Sequence, residues 1–110
     1  MRIDETTVGD VTVLMLDGRL VVGEGDLELR SRVNALSEAG CRKLVLDLER
    51  VPFVDSAGLG EIVRTRNTFN KLGGEVRLLK PTQRLRDLLK ITRLDVWFQI
   101  FEDREAAVRF

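Results

Sequence analysis

An α/β domain is predicted by three features of the chain: short apolar runs alternating with helical patterns, glycine and proline punctuation between them, and a polar-glycine joint after the most apolar run. The expected architecture is a four- to five-stranded mixed sheet with crossover helices, in the order β-(β)-α-β-α-β-α-β-α. With 110 residues the chain forms one domain, residues 1–110, burying roughly two-thirds of its unfolded surface.

The run "VTVLMLDG" is apolar and β-branched and ends at Asp17-Gly18, which reads as a strand; "MRI" before it adds a short edge strand. In "GDLELRSRVNALSEAG", Leu29, Val33 and Leu36 fall on one helical face, with Asp26 available as N-cap and Gly40 as the stop. "KLVLDL" is apolar on both faces except at Asp47, which suits a central strand covered on two sides. Leu59, Ile62, Val63, Phe69 and Leu72 then keep helical spacing until Gly73-Gly74. "EVRLL" is the next strand, broken by Lys80-Pro81. Thr82 can cap a helix with the stripe Leu85, Leu88 and Leu89. "WFQIF" reads as a short strand, and Asp103 can cap a last turn carrying Ala107 and Phe110. Leu46, Leu48, Ile62, Val63, Leu78 and Leu88 are the expected core.

Composition removes whole classes of function. Eighteen basic and eighteen acidic residues cancel and are interspersed, so no footprint for nucleic acid or an anionic membrane is expected. No apolar run approaches the roughly 18–20 residues of a membrane span, and "MRIDETTVGD" has no apolar leader core, so a cytoplasmic protein without membrane insertion is expected. The single cysteine, Cys41, reads as a half-buried spacer. With no histidine the chain builds no Ser-His-Asp or Cys-His pair and no His-containing zinc site. Gly60 is followed by Glu61 and Ile62 where a phosphate loop needs lysine and a hydroxyl, and Val63 stands where a dinucleotide fingerprint needs its third glycine. Asp47, Glu49 and Asp55 are the carboxylates a metal-assisted nucleotide hydrolase would use, but no cationic or glycine loop is arranged to hold a polyphosphate near them. We therefore expect no catalytic residues, no metal ligands and no cofactor.

The segment "RVPFVDSAGLGEIV", Arg50 to Val63, is the informative joint. Glycine inside a helix costs about 0.8–1.0 kcal/mol relative to alanine, so Gly58 and Gly60 near a helix start serve something besides helix stability. Asp55 and Ser56 admit two readings. One is helix capping, worth about 1 kcal/mol, although neither Gly58 nor Leu59 supplies the Glu or Gln of a capping box. The other is a serine hydroxyl cleared of side-chain bulk by the paired glycines, at a helix N-terminus that favours an anion such as phosphate.

Across essentially the whole chain the sequence resembles the STAS domains, and among them the stand-alone bacterial anti-sigma-factor antagonists. The resemblance rests on "VLMLDGRL", "LVLDLERVPFVDSAGLGEIV", "LGGEVRLLKP", the Leu-rich helix ending "ITRLD", and "FQIFEDREAAV", with D-S-x-G-L-G as its specific core. It implies a single STAS-like domain that binds an anti-sigma factor serine kinase when unphosphorylated and is released by phosphorylation of the motif serine, which a cognate phosphatase reverses. Ser56 is then the phosphoacceptor, framed by Asp55, Gly58, Leu59 and Gly60. Members commonly place an acid directly after a G-x-L triplet in the loop before the first helix. Here "GRL" is followed by Val21-Val22, with Glu24 and Asp26 later, and these two acids read either as solvated or capping residues or as partner contacts. A non-switching STAS subunit of a lipid-transport ABC complex or a signalling scaffold is the alternative function, in which the same surface docks constitutively.

Overall fold

In the computed structural model, which describes residues 1–110, five strands form one sheet in chain order. They are β1 (Arg2–Val8), β2 (Val11–Asp17), β3 (Lys43–Arg50), β4 (Glu75–Leu79) and β5 (Gln99–Phe101). β1 pairs antiparallel with β2 from Val8 opposite Val11 to Arg2 opposite Asp17, and the remaining pairs are parallel. Each parallel step needs a crossover, supplied by α1 (Asp26–Glu38), α2 (Ser56–Lys71) and α3 (Gln83–Ile91). A 3₁₀ turn (Leu94–Val96) follows α3, and α4 (Arg104–Ala107) closes the chain.

A sheet that grows in one direction through crossovers of one hand collects the crossover helices on one face. Leu29 and Val33 of α1, Ile62 and Phe69 of α2, and Leu85 and Leu89 of α3 accordingly share one core with Leu14, Leu16, Leu44, Leu46, Leu48 and Leu78. The opposite face carries a smaller cluster, Val11, Val13, Val45 and Leu79 under Ala107 of α4. Arg77 anchors that side: its guanidinium stacks on Phe110 at 4.0 Å and donates to the Arg109 carbonyl at 2.7 Å. β3 is thus central and covered on both faces, as its sequence predicts.

Thr82 and Asp103 cap α3 and α4 as expected, accepting from the N–H groups of Leu85 and Ala106. Several local expectations are corrected. β1 is a full seven-residue strand, where its sequence suggested only "MRI". It lies at the sheet edge with Glu5, Thr6 and Thr7 in water, so no apolar pattern marks it. Gly25, not Asp26, is the N-cap of α1. Val63 is half-buried and Leu72 exposed, because α2 turns a different face inward, Gly58, Glu61, Ile62, Thr65 and Phe69, and Leu88 is half-buried because α3 buries Leu85 and Leu89 instead. Trp97 stays outside β5 and exposed, while Phe98 enters the core.

Leu46 is fully buried at the centre of β3. Leu46→Ala should cost about 2–5 kcal/mol, read as a lower midpoint in urea denaturation with little change of slope.

Candidate functional site

The site lies at the carboxyl ends of β2 and β3, where the two strands separate and pair again. Gly18 N–H donates to the Arg50 carbonyl at 3.1 Å and Leu20 N–H to that of Phe53 at 3.0 Å; Leu20 then forms a parallel bridge with Val54. Asp55 N–H returns the contact, donating to the Leu20 carbonyl at 3.3 Å.

Asp55 is extended and is the N-cap of α2. Its Oδ1 accepts the Gly58 N–H at 2.8 Å, and its Oδ2 accepts the Val22 N–H of the β2–α1 loop at 3.0 Å. One carboxylate therefore joins the helix start to the loop. The hydrogen bonds from Val22 and then Gly58 favour the anion over the modest opposing effect of desolvation, and hold the carboxyl below the usual aspartate range. Capping falls to Asp55 alone, which leaves Ser56 exposed as the first helical residue.

The two glycines do different things. A Cβ on Gly58 would lie 1.9 Å from the Leu20 carbonyl oxygen and 2.8 Å from its carbon, so only glycine lets the first turn of α2 rest on the Leu20 backbone. A Cβ on Gly60 would meet nothing within 4 Å. The expectation that both clear space around Ser56 is corrected for Gly58, which serves packing. Gly60 leaves an open surface one helical turn beyond Ser56. Leu59 is half-buried and packs against the main core.

In the β2–α1 loop, the N–H groups of Glu24, Gly25 and Asp26 converge on the Val21 carbonyl at 3.2–3.4 Å. Asp26 is buried; its Oδ1 accepts from Gly23 N–H at 2.9 Å and Leu27 N–H at 2.8 Å. It braces the loop from beneath, which takes it off the surface where a partner contact was expected. Glu24 is exposed, with only a 4.0 Å contact to Arg19.

Sequence reasoning passed over the exposed apolar side chains near this joint, Val22 at 70% and Leu27 at 57% exposure. The signal was the Val21-Val22 pair: Val21 is buried, and its neighbour points out. It also passed over Glu61, a buried carboxylate on α2 whose Oε1 takes the Arg30 Nε of α1 at 2.8 Å while Oε2 has no partner. Asp47, Glu49 and Asp55 do not gather into a group able to hold a metal ion.

The family model described as STAS domain matches residues 2–107. A Thermotoga neapolitana protein named as a candidate anti-sigma factor antagonist is 30% identical over 95 residues, covering 86% of this chain and 84% of that protein. The anti-sigma-B factor antagonist of Staphylococcus aureus is 31% identical over 78 residues, 71% of this chain and 72% of its own. The crystal structure of a candidate anti-sigma factor antagonist from Thermotoga maritima superimposes with a TM-score of 0.89 at 27% identity, covering 96% of this chain and 90% of that one.

The geometry yields two expected outcomes. Alanine should act with opposite signs two residues apart: Gly58→Ala should destabilise by about 1–3 kcal/mol or more through overpacking, whereas Gly60→Ala should stabilise by up to about 1 kcal/mol through helix propensity, both read by urea denaturation. The second concerns pH. The folded state holds the Asp55 carboxyl below its unfolded value of about 3.9, so on acidification the unfolded chain takes up this proton first. The contribution of Asp55 is therefore complete above that value and is lost as pH falls through the folded pKa. Asp55→Asn should flatten this part of the stability–pH curve, measured by denaturation at successive acidic pH values.

Proposed function

The chain belongs to the STAS domain family, and on that premise we propose that it is an anti-sigma factor antagonist working by partner switching. Unphosphorylated, it binds an anti-sigma factor serine kinase in the cytoplasm and so frees the sigma factor that kinase holds. Phosphorylation of Ser56 dissolves the complex, and a cognate phosphatase restores it. Catalysis resides in the partners; this chain supplies the acceptor hydroxyl and the docking surface.

The observation that carries this reading is an exposed serine at the first position of a helix whose cap is already provided by its neighbour Asp55. Nothing in the fold depends on the Ser56 hydroxyl, so it is available as an acceptor. The helix N-terminus suits the product: a phosphoserine carries about −1.5 to −2 charges, and the exposed N–H groups and dipole offset repulsion from Asp55 by about 0.3–1 kcal/mol. Beside Ser56 no bulky side chain stands over Gly60, and Val22 is held beside the cap through its N–H, while the Asp55 carboxylate is the adjacent charge and is taken up by two backbone N–H groups. Such a surface fits a neutral hydroxyl. A phosphate buried there against a partner, without a compensating cation, costs several kcal/mol, and each 1.4 kcal/mol is a factor of ten in affinity.

Ser56→Asp should therefore melt like the unaltered protein yet bind the anti-sigma kinase at least about a hundredfold more weakly. Ser56→Ala should bind normally and resist release by ATP. Melting curves, titration calorimetry and mass spectrometry of the kinase-treated chain decide it. Unfolding of Ser56→Asp would return the serine to a structural role, and unchanged binding would favour constitutive docking. Phosphate on a residue other than Ser56 would move the switch elsewhere.

A further inference from the structure

Alongside α3 lies a groove of about 300 Å³ whose opposite wall is the loop between β3 and α2. Val51 and Leu85 form its buried floor, Phe53 and Leu88 its sides, and Ile91 the end nearest the C-terminus of α3. From Thr82 to Ile91 the helix wall runs about 13 Å at 1.5 Å per residue.

The groove is electrically lopsided. At the N-terminal end of α3 two guanidinium groups stand over the Phe53 ring, Arg84 at 5.0 Å and Arg19 at 5.4 Å from its centroid. Arg84 has no carboxylate partner, and Arg19 only the 4.0 Å contact to Glu24. The positive end of the α3 dipole falls at the same place. Asp87 is the one acid in the lining; it sits on the exposed rim and already accepts from Gln83 Nε2 at 2.9 Å. Towards Ile91, which is 80% exposed, the wall is apolar.

The geometry points to a binding site for a monomeric, single-chain carboxylate: its head paired with Arg84, its apolar tail lying along α3 over Leu88 to Ile91. The volume is at the small end for ligand sites, enough for one short chain and too little for a two-chain lipid. The loop wall continues into Asp55 and Ser56, and the Phe53 carbonyl holds the Leu20 N–H, so an occupant would press on the backbone that sets the start of α2. This site does not require the switching role proposed above.

A titration of the ¹⁵N-labelled full chain with sodium octanoate at neutral pH, followed by backbone amide shifts, tests it. Saturable shifts at Phe53, Val54, Arg84, Leu85 and Leu88 are expected. Octan-1-ol, which lacks the charge, should bind at least about tenfold more weakly. Arg84→Gln should weaken octanoate by about the same factor without affecting octan-1-ol, whereas Ile91→Ser should weaken both. Both side chains are exposed, so the spectra of the variants should otherwise superimpose on that of the unaltered chain. Shifts that never saturate, shifts centred on Val96 and Trp97, equal affinity for acid and alcohol, or association with phosphatidylglycerol vesicles but not with the monomer would each overturn the assignment.

Discussion

The first turn of α2 sits directly on the backbone of Leu20, and the rest of the site follows from that contact. The Leu20 carbonyl takes the Asp55 N–H on one side and faces the bare Cα of Gly58 on the other. With no side chain between them, helix and loop approach to backbone distance. Asp55 then bonds both, through Gly58 N–H and Val22 N–H. The position of Ser56 is thus set by its neighbours: its backbone is fixed from both flanks while its side chain stays free in water.

The same contact sets the rotation of α2. Turning Gly58 inward brings Glu61, Ile62, Thr65 and Phe69 in behind it. Ile62 and Phe69 fill the main core, while Glu61 faces α1 and is met by Arg30. A buried carboxylate with one oxygen unpaired adds little to net stability, but it makes the α1–α2 arrangement intolerant of sliding, because any shift would leave the charge without its cation. Arg64 of α2 reaches Asn34 of α1 one turn further along, so polar contacts fix the alignment of two helices whose apolar faces point mainly at the sheet.

The β2–α1 loop is organised with equal economy. Three N–H groups converge on the Val21 carbonyl, and the buried Asp26 carboxylate holds two more from below. Acidic groups thus act twice as local templates, Asp55 for the start of α2 and Asp26 for the loop beside it. Both work through backbone N–H donors, so neither needs a cation or a histidine. The chain keeps its balanced charge, and Val22, Leu27, Ser56 and Gly60 are exposed near the joint beside the acidic Glu24.

The order of elements, the central place of β3, and the Thr82 and Asp103 caps were legible in the sequence because each depends on residues within a few positions of one another. Apolar periodicity and cap chemistry are local, and the D-S-x-G-L-G run marked the joint and its exposed serine. What depends on a distant partner was not legible. β1 is a strand only because β2 offers its edge, and its polar residues carry no period that announces it. Asp26 looked like a cap and a surface acid until the loop folded over it. Gly58 looked like a companion of Gly60 until the Leu20 carbonyl, thirty-eight positions earlier in the chain, was found against it. Glu61 carries no local sign of burial, since the Arg30 that meets it comes from α1. The sequence alone therefore determined where the strand-to-helix joint with its exposed serine lies and in what order the chain is built. Tertiary structure decided which side of each helix faces inward and which acids are buried, since those outcomes rest on steric fit and hydrogen bonding between residues that only the folded sheet brings together.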